Sequence, residues 1–349
     1  MENHAVVVDG GLIVGLEPTD APHHGVLAAG FIDLQVNGHH DVDVATADDA
    51  EWDRLLDSLA AQGVTTWCPT LISAPLDALD DRLAVIGERL TRPGPAVAGV
   101  HLEGPYLGGA PGAHRSVVDD PIDLVWLAAL PPHVAMMTIA PERPDAVAAI
   151  RTMVGREMVV ALGHTTASAA EATAAIEAGA SLFTHLFNAA GGIDHRRAGA
   201  LTVALSDPRV IGGLIADGIH VDVPTMGLAW RAKGAGGIAL VTDAAAWAAG
   251  RLADQGVALV DGAPRLRDGT LAGSALTMPD ALRRTVDEVG IDLADAVRAA
   301  SSTPAVALGL DDRGSITPGR RADLVALTDD LQVEQTWIGG CAQLGLSGS

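Results

Sequence analysis

The chain has 349 residues, of which 48% are hydrophobic, and this length and aliphatic bias suit a large barrel core with a smaller accessory domain. Its formal net charge of -22 at pH 7 excludes extended contact with nucleic acids or with anionic membrane surfaces, because like charges repel. Two cysteines, no basic N-terminal segment and no apolar stretch of membrane-spanning length lead us to expect a cytoplasmic protein.

Strand-like runs alternate with helix-like segments from Phe31 to about Leu308, a pattern typical of βα units around a parallel sheet. One helical segment, DDAEWDRLLDSLAAQG, opens with capping Asp residues and closes on Gly63. We therefore predict an α/β protein with a (β/α)8 TIM-like barrel over residues 29–310. The eight predicted strands begin near Phe31, Val64, Ala96, Val134, Met158, Leu182, Val210 and Ile238.

Short strands with Gly-rich turns lie outside this barrel. They run from Ala5 to Val14, from Gly256 to Leu271 and from Ala322 to Leu344. We predict that residues 1–28 and 311–349, together with an insertion at about 251–271, form a small β-sandwich domain from both chain ends.

Four of the apolar runs end in a residue that can bind a metal or move a proton: Glu103, His164, His185 and Asp243. Because the carboxyl ends of barrel strands converge on one mouth, we expect these side chains to meet there. One Glu and two His can hold a divalent metal and leave a position open for water, while Asp243 serves as the general base.

Each of these residues also has a structural interpretation. Glu103 could pair with a backbone amide or a cation, a lone His is commonly a hydrogen-bonded core residue, and Asp243 could cap the following segment. Their occurrence together at strand ends favours a catalytic site.

Three cationic or titratable groups, His114, Arg196 and His220, follow strand ends on loops. Such groups are usually solvated. Near the mouth of a strongly acidic protein, however, they indicate a local pocket for an anion such as phosphate.

Six motifs, in order, make the sequence similar to the N-acetylglucosamine-6-phosphate deacetylases of the amidohydrolase superfamily, and the resemblance covers nearly the whole chain. The motifs are GFIDLQVNG from Gly30, HLEGPYL from His101, GHTTAS from Gly163, THLFNA from Thr184, IADGIHVD from Ile215, and VTDA from Val241 with LAGSALTM from Leu271.

The resemblance implies roles for individual residues. It implies one divalent metal ion, zinc or iron, held by Glu103, His164 and His185, with Asp243 as general base and acid and His114 polarising the acetyl carbonyl. It also implies a homodimer in which an arginine reaches the substrate phosphate of the neighbouring subunit. The implied substrate contacts are Ala113, Asn188, Ala189, Arg196, His220, Leu271, Ala272 and Gly273.

The first barrel strand departs from the wider superfamily. Where many members have two histidines and a second metal, this sequence has Gln35 and Asn37, whose neutral amides are weak metal ligands. We therefore expect one metal. His39 and His40 could in principle supply a second site, but Gly38 precedes them and the strand should already have ended.

Placing the phosphate contact on Arg196 rather than the adjacent arginine follows from counting back from the end of the loop.

The resemblance implies hydrolysis of the acetamide of N-acetylglucosamine 6-phosphate to acetate and glucosamine 6-phosphate. Two alternatives stay open. One is deacetylation of another amino-sugar phosphate, such as N-acetylgalactosamine 6-phosphate, or hydrolysis of an unrelated small amide. The sequence does not separate the two sugar phosphates, because epimers differ by one hydroxyl. The other is a non-catalytic sugar-phosphate sensor, although a sensor has no need of Asp243 as a base.

Overall fold

The computed structural model describes residues 4–20, 25–114, 120–249, 251–252 and 255–343. Its centre is a barrel of eight parallel strands, numbered here β1 to β8, in which each strand pairs with the next one along the chain. This arrangement confirms the predicted TIM-like barrel. The strands are β1 Phe31–Val36, β2 Val64–Ile72, β3 Val100–Glu103, β4 Val134–Ile139, β5 Val159–Leu162, β6 Leu182–Phe183, β7 Ile211–Leu214 and β8 Ile238–Leu240.

Strand β3 begins at Val100 and not near Ala96 as predicted. The pair Ala96–Val97 forms its own short parallel bridge to β2, and the backbone N–H of Ala98 donates to Trp67. The other seven strands begin within one residue of their predicted starts. Hydrophobic patterning therefore located the run AVAGVHLEG correctly and missed the break inside it.

The barrel closes between β8 and β1. The backbone N–H of Asp243 donates to Gln35 at 2.9 Å, and that of Asn37 donates to Ala244 at 2.8 Å. The seam places the residues that follow β8 directly beside those that end β1, at the carboxyl mouth of the barrel.

Helices surround the barrel and bury their apolar faces against it. The first one begins as the sequence predicts, because Asp48 and Glu51 form a capping box. Its buried Trp52 packs 5.3 Å from Trp67 of β2, measured between ring centroids. The α-helices are Asp49–Ala61, Leu76–Gly87, Leu124–Ala129, Ala146–Val154, Ala169–Glu177, Ala200–Ser206, Val223–Lys233, Met278–Asp287, Leu293–Ala300 and Ser302–Ala307, and the 3-10 turns are Ala235–Gly237 and Trp247–Ala249.

Both chain ends contribute sheets outside the barrel. The N-terminal hairpin packs through the buried Ile13 against Ala322 and Leu324 of the C-terminal sheet. The hairpin strands are His4–Asp9 and Leu12–Pro18, and the four-stranded sheet contains Val26–Ala29, Leu324–Leu327, Val333–Ile338 and Cys341–Ala342. The predicted strand end at Leu344 lies outside the described residues, as do residues 1–3, 21–24, 253–254 and 345–349 of the predicted small domain.

The inserted segment forms a separate three-stranded sheet of Arg251–Leu252, Gln255–Val260 and Ala263–Leu266. Its buried side chains cluster with Ala113 and Ala245 of the loops at the barrel mouth. The insertion is therefore placed beside the site, and the proposed division of the chain into domains stays a prediction. A further short hairpin, Gly38–His39 with Val42–Asp43, follows β1.

No helix in the described part of the chain combines the length and the apolarity needed to cross a bilayer.

Candidate active site

Three of the four predicted strand-end residues have left-handed backbone angles. The φ angles are 50° at His164, 30° at His185 and 49° at Asp243. This region is costly for residues other than glycine and is concentrated at functional sites. Together with Glu103, the last residue of β3, these side chains are buried at the barrel mouth.

Glu103, His164 and His185, called here the Glu–His–His cluster, bring three possible ligand atoms together. The Nε2 atoms of His164 and His185 each lie 3.0 Å from Oε1 of Glu103, and 3.1 Å from each other. Ligand atoms about 2.0 to 2.1 Å from a tetrahedral zinc ion lie about 3.3 Å apart. The mutual spacing therefore fits a divalent cation.

The position of the proton on the His164 ring also supports the interpretation that the cluster can bind a divalent cation. Its Nδ1 lies 3.2 Å from the carbonyl oxygen of Pro111, which can only accept a hydrogen bond. We therefore place the proton on Nδ1, and the lone pair of Nε2 then faces Glu103 Oε1. Two lone pairs at that distance repel each other unless a cation lies between them, and an imidazole that donates its other N–H to a carbonyl is typical of metal-binding histidines.

Burial and the nearby His114 lower the pKa of His164 to about 4, so its imidazole is neutral at pH 7 as metal binding requires. Burial opposes ionisation of Glu103, but the close polar contacts with the imidazoles of His114, His164 and His185 outweigh it and hold the pKa of this carboxyl well below its usual range. The cluster thus presents one carboxylate and at least one neutral imidazole.

His114 also lies near Glu103, and Glu103, His114 and His164 present ligand atoms within 4.8 Å of one another. Two observations separate His114 from the Glu–His–His cluster. Its Nε2 is 3.6 Å from Glu103 Oε2, and its Nδ1 accepts the backbone N–H of Ser73 at 3.3 Å. Because a backbone N–H cannot rotate away, we assign the His114 proton to Nε2. This atom is then a hydrogen-bond donor facing the site.

Amides from β1 and the residues after it surround Asp243. Nε2 of Gln35 donates to Asp243 Oδ1 at 3.0 Å and to Glu103 Oε1 at 2.9 Å, and Nδ2 of Asn37 donates to Asp243 Oδ1 at 2.7 Å. Burial and the charge of Glu103 raise the pKa of Asp243 to about 8. These amides present N–H groups where a second metal would need lone pairs, which favours a single ion.

The cluster, His114 and Asp243 line one cavity of about 200 Å³. Six predicted substrate contacts also line it: Ala113, Asn188, Ala189, His220, Leu271 and Gly273. Arg196 and Ala272 are not among its described lining residues. Arg196 is exposed on the loop after β6, whereas Ala272 is buried and donates its backbone N–H to Pro264.

A family model described as "Amidohydrolase family" matches residues 26–342. This protein belongs to the amidohydrolase family. Curated relatives include an N-acetylgalactosamine-6-phosphate deacetylase of Escherichia coli O157:H7, 35% identical over 97% of this chain and 94% of the relative. The N-acetylglucosamine-6-phosphate deacetylase of Bos taurus is 36% identical over 90% and 82%. A solved N-acetylglucosamine-6-phosphate deacetylase from Thermotoga maritima aligns with a TM-score of 0.91 at 33% identity, over 97% and 94% of the two chains.

In this amidohydrolase, Asp217 orients His220. The carboxylate of Asp217 accepts the backbone N–H groups of Ile219 and His220 and lies 2.6 Å from His220 Nδ1. Burial alone would raise the pKa of Asp217, but these bonds with His220 hold it below its usual value. Nε2 of His220 is the ring nitrogen left for a ligand. Asp217 lies in the motif IADGIHVD, but the sequence alone did not mark it as the partner of His220.

The spacing of the polar residues along β1 could have predicted that they face the barrel interior. Asp33, Gln35 and Asn37 alternate with apolar residues, so all three lie on one face of the strand and its extension. Period-two patterning thus predicts that they face the barrel interior together. Ser73, which bonds to His114, and Thr270, which also lines the cavity, gave no such signal before the fold was known.

His39 and His40, the two histidines that follow β1, contact other residues. Nδ1 of His39 lies 2.9 Å from Ser58 Oγ, and the exposed ring of His40 packs 5.0 Å from Trp247. Neither is among the described lining residues of the cavity.

Proposed function

We propose that this amidohydrolase hydrolyses the acetamide of N-acetylglucosamine 6-phosphate to glucosamine 6-phosphate and acetate. The observation that carries the proposal is the Glu–His–His cluster, which shares the Gln35 amide with Asp243 at the base of one cavity. The substrate class follows from the motifs and from the names of relatives that align over most of the chain.

The Glu–His–His cluster would hold one divalent cation, with zinc proposed first and iron as the alternative. When bound, such a cation supplies Lewis-acid polarisation of water and of the acetyl carbonyl. The chain itself supplies the proton chemistry and the orientation.

Asp243 takes a proton from the attacking water and passes it to the leaving amine. Hydrogen bonds from the side-chain amides of Gln35 and Asn37 hold the buried Asp243 carboxyl in one orientation. His114 donates its Nε2 proton to the oxygen that gains charge as the acetyl carbon becomes tetrahedral, and Ser73 fixes the tautomer that makes this donation possible.

The phosphate end is proposed to meet His220 of the same chain and Arg196 of a second copy. Because Arg196 is exposed and is not among the described residues that line its own cavity, a homodimer is the arrangement that would bring an arginine to the phosphate. Leu271, Ala272 and Gly273 are proposed to close over the sugar. A cytoplasmic location stays a prediction from the sequence.

The direct test is acetate release from purified protein supplied with zinc or iron. We expect turnover of N-acetylglucosamine 6-phosphate and a much higher KM for N-acetylglucosamine, which has the same acetamide without the phosphate. If no acetate forms with either metal, the proposed reaction is wrong.

N-acetylgalactosamine 6-phosphate is the second candidate substrate. Relatives named for the two epimers are 35% and 36% identical to this chain, so identity does not separate them. The ratio of kcat/KM for the two epimers decides the assignment, because both carry the same amide and phosphate.

A further inference from the structure

Glu142 lies three residues beyond β4, outside the groups assigned to the reaction, and its carboxylate joins two loops. Oε1 accepts the backbone N–H of Gly109 at 3.0 Å and that of Thr166 at 2.8 Å. Oε2 accepts the hydroxyl of Thr165 in a short hydrogen bond. One side chain thus uses both oxygens to connect the loop after β3 with the loop after β5.

These loops carry the site. Thr165 and Thr166 directly follow His164, whereas Gly109 lies in the loop that leads to His114. The loops also touch directly, because the backbone N–H of Gly108 donates to the carbonyl of His164 at 2.9 Å. The Glu142 bridge reinforces the contact in which the carbonyl oxygen of Pro111 accepts a hydrogen bond from Nδ1 of His164.

The packing around the bridge is close. A Cβ atom at Gly108 would collide with Glu142 Oε1, and one at Gly109 would collide with the Thr166 hydroxyl. The Glu142 carboxylate is the end of a flexible side chain, so even an alanine methyl group at Gly108 would displace it. The two adjacent glycines let the loop approach the carboxylate closely enough for this bridge.

We propose that Glu142 is a positioning residue that holds the His164 imidazole and the His114 loop in the geometry needed for metal binding. This inference rests on the proposed metal-dependent function. Outer-shell partners of metal ligands typically change metal affinity by about 10-fold to 100-fold when removed. Glu142 acts one step further out, through the loop that supplies Pro111, so we expect the lower part of that range.

The variant that tests the proposal is Glu142→Ala, and Glu171→Ala is its matched control. Glu171 is also a carboxylate after β5, and it accepts hydrogen bonds from the backbone N–H and hydroxyl of Ser168. It caps a helix and makes no hydrogen bond to the described residues of the loop after β3. Both variants lose local hydrogen bonds, but only Glu142→Ala breaks the bridge between loops.

Two readouts are needed, and neither is the activity of the metal-loaded enzyme. Zinc affinity is measured by competition with a chelator, and hydrogen exchange of the Gly109 and Thr166 amides is measured in metal-free protein. We expect Glu142→Ala to weaken zinc binding about 10-fold and to speed exchange at both amides. Glu142→Gln keeps an acceptor oxygen and should restore most of the affinity.

Zinc affinity of Glu142→Ala equal to that of Glu171→Ala would overturn the positioning role, even if both variants melted at lower temperature. If the wild-type protein binds neither zinc nor iron, the proposed function fails first, and the amide exchange still tests the bridge. Unchanged exchange at Gly109 and Thr166 in Glu142→Ala would then contradict the inference by itself.

Discussion

The two sides of the barrel mouth differ in what they offer to a ligand. On the side of β3, β5 and β6, the Glu–His–His cluster crowds a carboxylate oxygen and two ring nitrogens within 3.1 Å of one another. On the side of β1 and β8, Gln35 and Asn37 donate amide N–H groups to Asp243. The first side gathers atoms that can bind a cation, whereas the second already has hydrogen-bond donors in place.

The difference assigns one task to each side. A crowded set of lone pairs is stabilised by a cation, and an amide-bonded carboxyl whose pKa is raised to about 8 can both hold and release a proton near neutral pH. The Gln35 amide, which touches a carboxylate of each side, links the two.

The largest effect is expected from Asp243→Asn, which removes the proton carrier and leaves the metal side intact. We expect kcat to fall by roughly 10²-fold to 10⁴-fold, the usual contribution of general acid–base catalysis, with zinc and substrate binding retained. Steady-state kinetics and zinc titration measure the two properties separately. A sensor would bind sugar phosphate without turnover in both forms, so wild-type turnover with loss in the variant distinguishes an enzyme from a sensor.

The β1 side also contains a buried acid, Asp33, and its pH dependence sharpens the contrast. Burial outweighs hydrogen bonds from Thr242 and Gln35 and raises the pKa of Asp33 from 3.8 to about 7. Between these pH values the unfolded chain ionises while the folded protein keeps the proton, so this group's contribution to stability falls as pH rises. The loss amounts to at most about 4 kcal/mol, from a shift of roughly 3 pKa units.

Asp33→Asn removes this titration. We expect the unfolding free energy of the wild type, relative to the variant, to decrease between pH 4 and pH 8 in denaturant titrations. If the new amide fits the buried site poorly, it lowers the unfolding free energy by the same amount at every pH and does not affect the pH dependence. A difference that does not change with pH would show that Asp33 is ionised in the folded protein throughout.

A smaller effect is expected from Gln35→Leu, which cuts the link between the two sides. Loss of hydrogen bonds to charged groups should lower kcat by roughly 10-fold to 100-fold, since such bonds contribute about 1.5 to 3 kcal/mol before any rearrangement of the site. Gln62→Leu is the control, because Gln62 is also buried, its side chain donates a long 3.4 Å bond to Ser58, and it is not among the described residues that line the cavity. Equal activity of the two variants would mean that Gln35 does not couple the carboxylates.

The sequence predicted the barrel because strand hydrophobicity and helix caps are local signals. It also predicted that Glu103, His164 and His185 would meet, since strand ends share one mouth. It did not reveal Ser73, Asp217 or Glu142, whose roles depend on which loops touch after folding. The left-handed angles at His164, His185 and Asp243 were likewise invisible, because tertiary contacts impose them against local preference.

The central claim is that Glu103, His164 and His185 bind one metal ion, and zinc stoichiometry tests it most directly. After exhaustive dialysis, elemental analysis should find one zinc per chain in the wild type and in His114→Ala, and a large loss in His185→Ala. Zinc retained by His185→Ala but lost from His114→Ala would contradict the account and move the site to Glu103, His114 and His164.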